Sequence, residues 1–361
     1  MGIVAAVPRS AHRLRDTAAL TPPIPLPAMT LDIAQSTPTA AAMARWVERA
    51  WDLGPVVGGE FLRRSFNQVY RIDFASGQRA VARLSSERPR GPANTAFEAA
   101  LHQHLAAQGC PVVRCLPARG GAHAVDVPLP EGPRPLMLFD YVEGDFTGEA
   151  PEDIAAFARG LAALHAAGAS YAGPPSRYAL ELPDLLDRPL QDLLRAPTML
   201  PELRPGFEAA AERLRARLSA LEPLTRVMGH GDAHGENNFM RTNAQGEPEA
   251  VFFDFDEAGP GCLAYELAIY PWSMFPRMPD TAPSERVLAR WRSFIDAYRA
   301  VRPLSAADQA AIAPFMAVRQ FWLLGEYAGR VPVWGSQAMP TMYLRKQLGL
   351  LAQWEALELP F

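Results

Sequence analysis

The sequence predicts an α+β fold in two unequal parts, and three patterns carry that expectation. Alternation of apolar and polar residues over Val69–Phe74 and Arg79–Leu84, with an apolar run at Leu136–Phe139, reads as strands. Farther along, apolar residues recur at helical spacing, most plainly Ile154, Phe157, Leu161 and Leu164. The third pattern is a polar loop, Thr242–Glu249 with Asn243, Gly246 and Pro248, between two short strand-like runs at Phe239–Arg241 and Val251–Phe253. Strands therefore gather in residues 40–141 and helices in 142–361. The first 39 residues, rich in Ala, Pro, Thr and Ser, are expected to be a flexible tail, and Met29 is a possible alternative start.

Composition sets the outer bounds. A chain of 361 residues accommodates two domains, and 49% hydrophobic with 20% charged residues is ordinary for a soluble globular protein. No apolar run approaches the ~20 residues of a spanning helix, so no membrane partner is expected. A formal net charge of -4 lacks the basic stripe of a nucleic-acid scaffold. Three cysteines, Cys110, Cys115 and Cys262, fit neither a disulfide framework nor a zinc finger, which agrees with a cytoplasmic location. Lys346 is the only lysine, so arginine carries nearly all positive charge.

Individual elements follow from local signals. Ala40–Trp51 reads as a helix, and Gly58-Gly59 opens a strand-turn-strand unit with the turn at Arg63–Asn67. Gly77 turns the chain into the strand Arg79–Leu84. Thr95–Ala107 is a helix whose start, Thr95-Ala96-Phe97-Glu98, fits a capping box closed by Glu98. A strand around Val112-Val113 and a loop rich in Gly and Pro lead to Leu136–Phe139. Helices then follow at Pro151–Ala167, Leu182–Leu194, Pro205–Leu221, Ser284–Val301 and Ala306–Tyr327. His165 falls at the end of the first, where a charged imidazole suits the helix dipole.

The chemistry concentrates between Val227 and Ala268. Asp232, Asn237 and Asp254 are oxygen-bearing side chains among small or apolar residues, an unfavourable setting unless a cation or a reacting proton uses them. The hairpin brings Asn237 beside Asp254, with Asp232 on the same rim. Two hard oxygen ligands suit magnesium, which shares its other positions with waters and nucleotide phosphates. That leaves Asp232 to orient a hydroxyl and accept its proton during phosphoryl transfer. His230, Asp232 and His234 also alternate like a zinc-hydrolase cluster, although no second His/Asp cluster accompanies them.

This segment resembles the Brenner-type motif, His-Gly-Asp-x-His-x-x-Asn followed by a metal-binding Asp, of the aminoglycoside phosphotransferase and protein-kinase-like superfamily. The likeness continues through Ala258-Gly259 and Ala264–Ala268. It implies a bilobal protein-kinase-like fold: an antiparallel-sheet N-lobe with one main helix, a mostly helical C-lobe, and ATP between them. By resemblance Asp232 is the catalytic base, and Asn237 and Asp254 are the magnesium ligands. The resemblance also sets Ser65 and Asn67 against the nucleotide phosphates and puts Arg83, paired with Glu98, at the kinase strand-lysine position. Adenine is placed on backbone groups at Asp140 and Val142. Two residues depart from the pattern. Cys262 replaces a common Pro, and Glu266, one methylene longer than the usual Asp, stands where relatives brace the catalytic loop from below.

The acceptor is the open part of the reading. Residues 151–226 carry ten acidic and nine basic side chains, and from Tyr270 onward there are seven acidic and ten basic. A polycationic aminoglycoside calls for an acidic site, so the expected acceptor is a different hydroxyl-bearing small molecule. Arg319, Phe321, Trp322, Tyr327 and Trp334 either line its pocket or belong to the core. A protein Ser/Thr kinase of the bacterial stress-response type would share these motifs and differ in acceptor. A nucleotide-binding module without turnover would keep Arg83 and the hinge but consume no ATP with any acceptor.

Overall fold

The computed structural model describes residues 31–361. Of the expected tail, residues 1–30 lie outside the described residues. Residues 31–39 run along the sheet: the Ser36 amide donates to Glu131 at 3.0 Å, and the Tyr70 hydroxyl donates to the Pro38 carbonyl at 2.9 Å. Thr39 then caps α1 (Ala40–Ala50), its hydroxyl accepting from the Ala42 amide. One face of α1 buries Met43, Ala44 and Val47 against the sheet, and the Trp51 indole donates to the Leu116 carbonyl at 3.0 Å.

The sheet that receives α1 contains β1 (Val56–Arg64), β2 (Gln68–Phe74), β3 (Arg79–Leu84), β4 (Cys115–Leu116), β5 (Val125–Val127) and β6 (Arg134–Asp140). Its order is β1-β2-β3-β6-β4, every pairing is antiparallel, and β5 pairs with β6. Alternation along β2 buries Tyr70, Ile72 and Phe74, each contributing about 1.5–3 kcal/mol on the usual burial scale. The main helix, α2 (Thr95–Ala107), enters between β3 and β4 in sequence and packs Phe97, Leu101 and Leu105 into the core of the helical half. Two expectations shift here. Val112-Val113 forms only a bridge from Val112 to Phe252, the strand proper lying at Cys115–Leu116, and the Gly/Pro-rich loop contains β5. Both strands are too short to show a period in the sequence.

The rest is mostly helical: α3 (Pro151–Gly168), a π-helical turn at Pro183–Asp187 running into α4 (Arg188–Arg195), and α5 (Arg204–Ser219). Two antiparallel pairs follow, β7 (Arg226–Gly229) with β10 (Gly259–Cys262), and the hairpin β8 (Asn238–Thr242) with β9 (Pro248–Phe252). Then come α6 (Leu263–Met274), α7 (Glu285–Val301), α8 (Ala306–Gly329), the short α9 (Val331–Trp334) and α10 (Thr341–Glu355). Helix α8 is buried on every side over Ala311–Glu326 and forms the axis of this half. It meets α4 so closely that a Cβ on Gly325 would stand 2.4 Å from the Pro189 Cα.

Helices α6 and α10 were not expected from the sequence. Every residue of α6 from Leu263 to Trp272 is buried, which erases the polar face that makes a helix legible. The stripe of α10 is broken by buried Gln347, which accepts from Gln320 at 2.7 Å. The fold is the α+β, protein-kinase-like one anticipated, and no helix among the described residues is long and apolar enough to cross a membrane.

Candidate active site

The candidate site is the loop His230–Asn237 between β7 and β8. Gly231 makes its first turn at φ +80°, and a Cβ there would lie 2.0 Å from the Glu257 carbonyl oxygen, so only glycine fits. Beneath the loop, Glu266 of α6 accepts from the amides of His230 at 2.9 Å and Gly231 at 2.6 Å. The longer acidic side chain therefore reaches the loop. His165 lies in the last turn of α3, as expected, and is buried under Glu266, 3.1 Å from its carboxylate, with its other ring nitrogen 2.7 Å from the Tyr298 hydroxyl. Burial pushes the Glu266 carboxyl up, but His165 and the loop amides outweigh it and hold the group below its ordinary value.

His230 is spent on the backbone. Its Nε2 donates to the Phe253 carbonyl at 2.9 Å, and its Nδ1 accepts from the Asp232 amide at 3.3 Å. With both ring nitrogens engaged it does not join a zinc cluster. Among the described residues no three His, Cys, Asp or Glu side chains gather as a metal cage.

Asp232 has two sets of partners. Its Oδ2 accepts from Asn237 Nδ2 at 2.9 Å and lies 3.6 Å from His234 Nε2, while its Oδ1 pairs with Arg319 Nη2 from α8. The same guanidinium donates to the Gly231 carbonyl at 3.1 Å and the Tyr265 hydroxyl at 3.0 Å. Its carbon lies 3.7 Å above the Trp322 ring. Burial raises the Asp232 carboxyl, but Arg319 first and His234 next hold it well below the usual carboxylate range. Arg319 was read in the sequence as part of an aromatic stretch and not as a partner of Asp232. The available signal was a charge inside an otherwise apolar helix, which is rare without a partner.

Asp254 follows β9 in the left-handed region at φ 64°, a strained placement for a residue other than glycine. The Phe253 amide donates to the Asn237 carbonyl at 3.1 Å, so the root of the hairpin sets Asn237 beside Asp254. Asp254 Oδ1 accepts from Arg83 Nη1 at 2.9 Å, and Arg83 Nη2 reaches Glu98 at 2.5 Å. Burial works against the Arg83 charge, but Glu98 and Asp254 keep its pKa above the usual arginine value. The capping box at Thr95 does not form, because Glu98 turns to Arg83 and Asn94 is the N-cap.

Two clefts meet at this loop. The first, about 290 Å³, is lined by Arg63, Arg83, Phe139, Asp140, Val142 and Asp254. The second, about 500 Å³, is lined by Asp232, Tyr270, Trp272, Arg277, Arg319 and Trp322. Glu236 borders both.

Residues 61–304 match the model of the phosphotransferase enzyme family. The chain belongs to that family. It is 37% identical over 295 residues to an uncharacterized protein of Deinococcus radiodurans, covering 81% of this chain and 84% of that one. It is 30% identical over 221 residues to a homoserine kinase of Xanthobacter autotrophicus, covering 60% and 63%. Among solved structures it resembles the amicoumacin kinase hAmiN in complex with AMP-PNP, Ca2+ and Ami, at 18% identity and a TM-score of 0.66, over 86% of this chain and 92% of that one.

Within this family member, one of the anticipated phosphate donors, Asn67, needs correction. Asn67 points away from the first cleft: its Nδ2 donates to Asp256 at 2.7 Å and its Oδ1 accepts from the Ser86 amide at 3.3 Å. The Ser65 amide is engaged by the Asn67 carbonyl. Between them Phe66 stacks on Trp334 with ring centroids 5.5 Å apart and lies beneath Arg88 and Arg330. The tip of the β1-β2 hairpin is thus a packing element, and Arg63, expected in the turn but paired with Val69 at the end of β1, lines the cleft. Asp140 also lines this cleft, and its carboxylate accepts from Arg114 at 2.6 Å. Of the aromatics on α8, Trp322 and Tyr327 line the second cleft, whereas Phe321 is core against Phe207.

The donor set suits a small divalent cation. Asn237 uses its Nδ2 on Asp232, leaving Oδ1, and Asp254 uses one oxygen on Arg83, leaving the other. Burial and then the neighbouring Asp256 carboxylate raise the Asp254 carboxyl, a condition that a bound cation relieves.

Proposed function

We propose that this chain transfers the γ-phosphoryl group of Mg-ATP to a hydroxyl of a small molecule. The observation that carries the reading is the meeting of the two clefts: Asp254 faces the first, Asp232 the second, and Asn237 lies between them. The homoserine kinase and the amicoumacin kinase with AMP-PNP and Ca2+ support a small acceptor, a nucleotide donor and a divalent ion.

Asn237 Oδ1 and the free oxygen of Asp254 would hold the magnesium, which neutralises phosphate charge when bound. Arg83 and Arg63 present guanidinium groups to the phosphates, and the backbone at Asp140 and Val142 meets the base. Asp232 orients the acceptor hydroxyl. As the new oxygen–phosphorus bond forms and the bond to the leaving ADP oxygen breaks, the hydroxyl proton passes to Asp232 Oδ2. Arg319 keeps that carboxylate ionised and fixed, so it acts as a positioning residue.

Acceptor-stimulated ADP release from the purified chain tests the reading. Asp232→Asn should lower transfer by about 10²–10⁴-fold while Mg-ATP affinity stays near normal. Asn237→Ala and Asp254→Ala should instead weaken Mg-dependent nucleotide binding. Full activity of Asp232→Asn would remove the base assignment.

A further inference from the structure

The walls of the second cleft differ in charge. Arg277, in the loop after α6, places its guanidinium 3.9 Å from the Trp272 ring centroid and has no carboxylate within ion-pair distance among the described residues. Arg290 reaches Glu149 at 3.2 Å, a carboxylate that it shares with Arg286. Besides Glu149, which does not line the cleft, two carboxylates stand against these arginines and Arg319. Asp232 is already paired with Arg319, and Glu236 is exposed at the mouth. The buried Nε atoms of Arg290 and Arg319 also lack hydrogen-bond partners. Donor capacity and positive charge therefore exceed acceptor capacity on the wall that faces Asp232.

From this imbalance, and resting on the phosphotransfer reading above, we propose that the acceptor is a small hydroxyl-bearing anion whose negative group is held by Arg277 against Trp272, beside the Arg319-paired Asp232. A guanidinium binds a carboxylate with two parallel hydrogen bonds, and the indole face behind Arg277 restricts its orientation. Tyr270 and Trp322 supply flat apolar surface for the carbon chain between the anionic group and the hydroxyl. Beyond Glu236 at the mouth, a polycation in this cleft faces Arg277 and Arg290 and is disfavoured. Arg277 does not border the first cleft, where Arg63 and Arg83 serve the nucleotide.

The test is calorimetric titration of the full chain, with and without Mg-ADP, using straight-chain hydroxy acids of three to five carbons, their carboxamides, amino alcohols of equal length, and the phosphate monoesters of matching diols. The hydroxy acids should bind about tenfold more tightly than the carboxamides or amino alcohols, because only the acids offer Arg277 a charged two-point partner. Tighter binding of the monoesters than of the acids keeps the anion site and assigns it to phosphate instead of carboxylate. Arg277→Gln should abolish the preference while Mg-ADP affinity is unchanged, and Arg277→Lys should restore part of it. Equal or tighter binding of carboxamides or amino alcohols overturns the proposal, as does a preference that survives in Arg277→Gln.

Turnover separates this proposal from its parent. Anion preference without ADP release from ATP removes the phosphotransfer reading and leaves the anion site standing; ADP release with amino alcohols alone does the reverse. With a turned-over acid, Arg277→Gln should raise KM about tenfold with little change in kcat. A fall in kcat at constant KM would assign Arg277 to the transferred phosphoryl group and sink the proposal.

Discussion

Arg319 holds three acceptors at once, the Asp232 carboxylate, the Gly231 carbonyl and the Tyr265 hydroxyl, and is only 2% exposed. A buried pair of this kind adds little over an apolar isostere, yet removing one partner leaves the other charged and unsatisfied. Arg319→Gln should therefore destabilise the fold by about 3 kcal/mol. Combining it with Asp232→Asn should recover part of that loss, because the stranded carboxylate is gone. Denaturant unfolding of the two single variants and the double variant measures this coupling. Simple additivity would show that the pair is not energetically linked. Transfer activity should stay low in all three.

At the scale of elements, the site depends on how α6 and α8 stand beneath the loop, since they supply Glu266 and Arg319. Helix α8 is fixed from the far side by its contact with α4 at Gly325. Gly325→Ala puts a methyl group into the Pro189 backbone and must push the helices apart. The cost should be about 1–3 kcal/mol by the usual penalty for overpacking. Because α8 carries Arg319, acceptor-side kinetics should change as well. Unfolding midpoints read the first effect and KM for the acceptor reads the second; an unchanged midpoint would show that α4 yields freely. The β1-β2 hairpin tip rests on the end of the same helix through Phe66, so the nucleotide-side strands and the acceptor-side helix share one support.

Across the whole molecule, a buried charge cluster joins the sheet half to the helical half. Arg88, between β3 and α2, bonds Glu326 of α8 at 2.8 Å, Asp256 at 3.3 Å, and Glu257. Burial opposes the Arg88 charge, but these carboxylates hold its pKa well above the ordinary value. The same junction contains His102, fully buried, its Nδ1 donating to the Val113 carbonyl at 2.9 Å. Burial first, then Arg83, pull the His102 pKa down to about 3. Between pH 6.5 and 3 the unfolded chain binds a proton at this position that the folded chain refuses. His102 therefore makes stability fall as pH falls through that window, by at most about 1.4 kcal/mol per pH unit. His102→Gln, which keeps a donor for Val113, should flatten the dependence by that amount. Urea unfolding at pH 7 and pH 5 compares the slopes; equal slopes in both proteins would mean that His102 takes up its proton in the folded state.

Much of this arrangement is written in local sequence. The alternation of β2 and β3, the Thr39, Ser284 and Ser305 helix caps, the helical spacing of α3 and the His230–Asn237 motif before a hairpin depend on neighbours a few residues apart. The α+β architecture and the grouping of Asp232, Asn237 and Asp254 were accordingly legible. What the sequence did not reveal depends on packing between distant segments. Asn67 and Phe66 occupy a turn that resembles a phosphate loop, but contact with Asp256 and Trp334 claims them. Arg319 lies 87 residues from Asp232, Arg83 lies 171 from Asp254, and Arg88 lies 238 from Glu326. A short-range pattern records the backbone preferences of its own residues. Which buried charge finds which partner is decided only when the halves close and water leaves, because each unpaired charge then costs several kcal/mol.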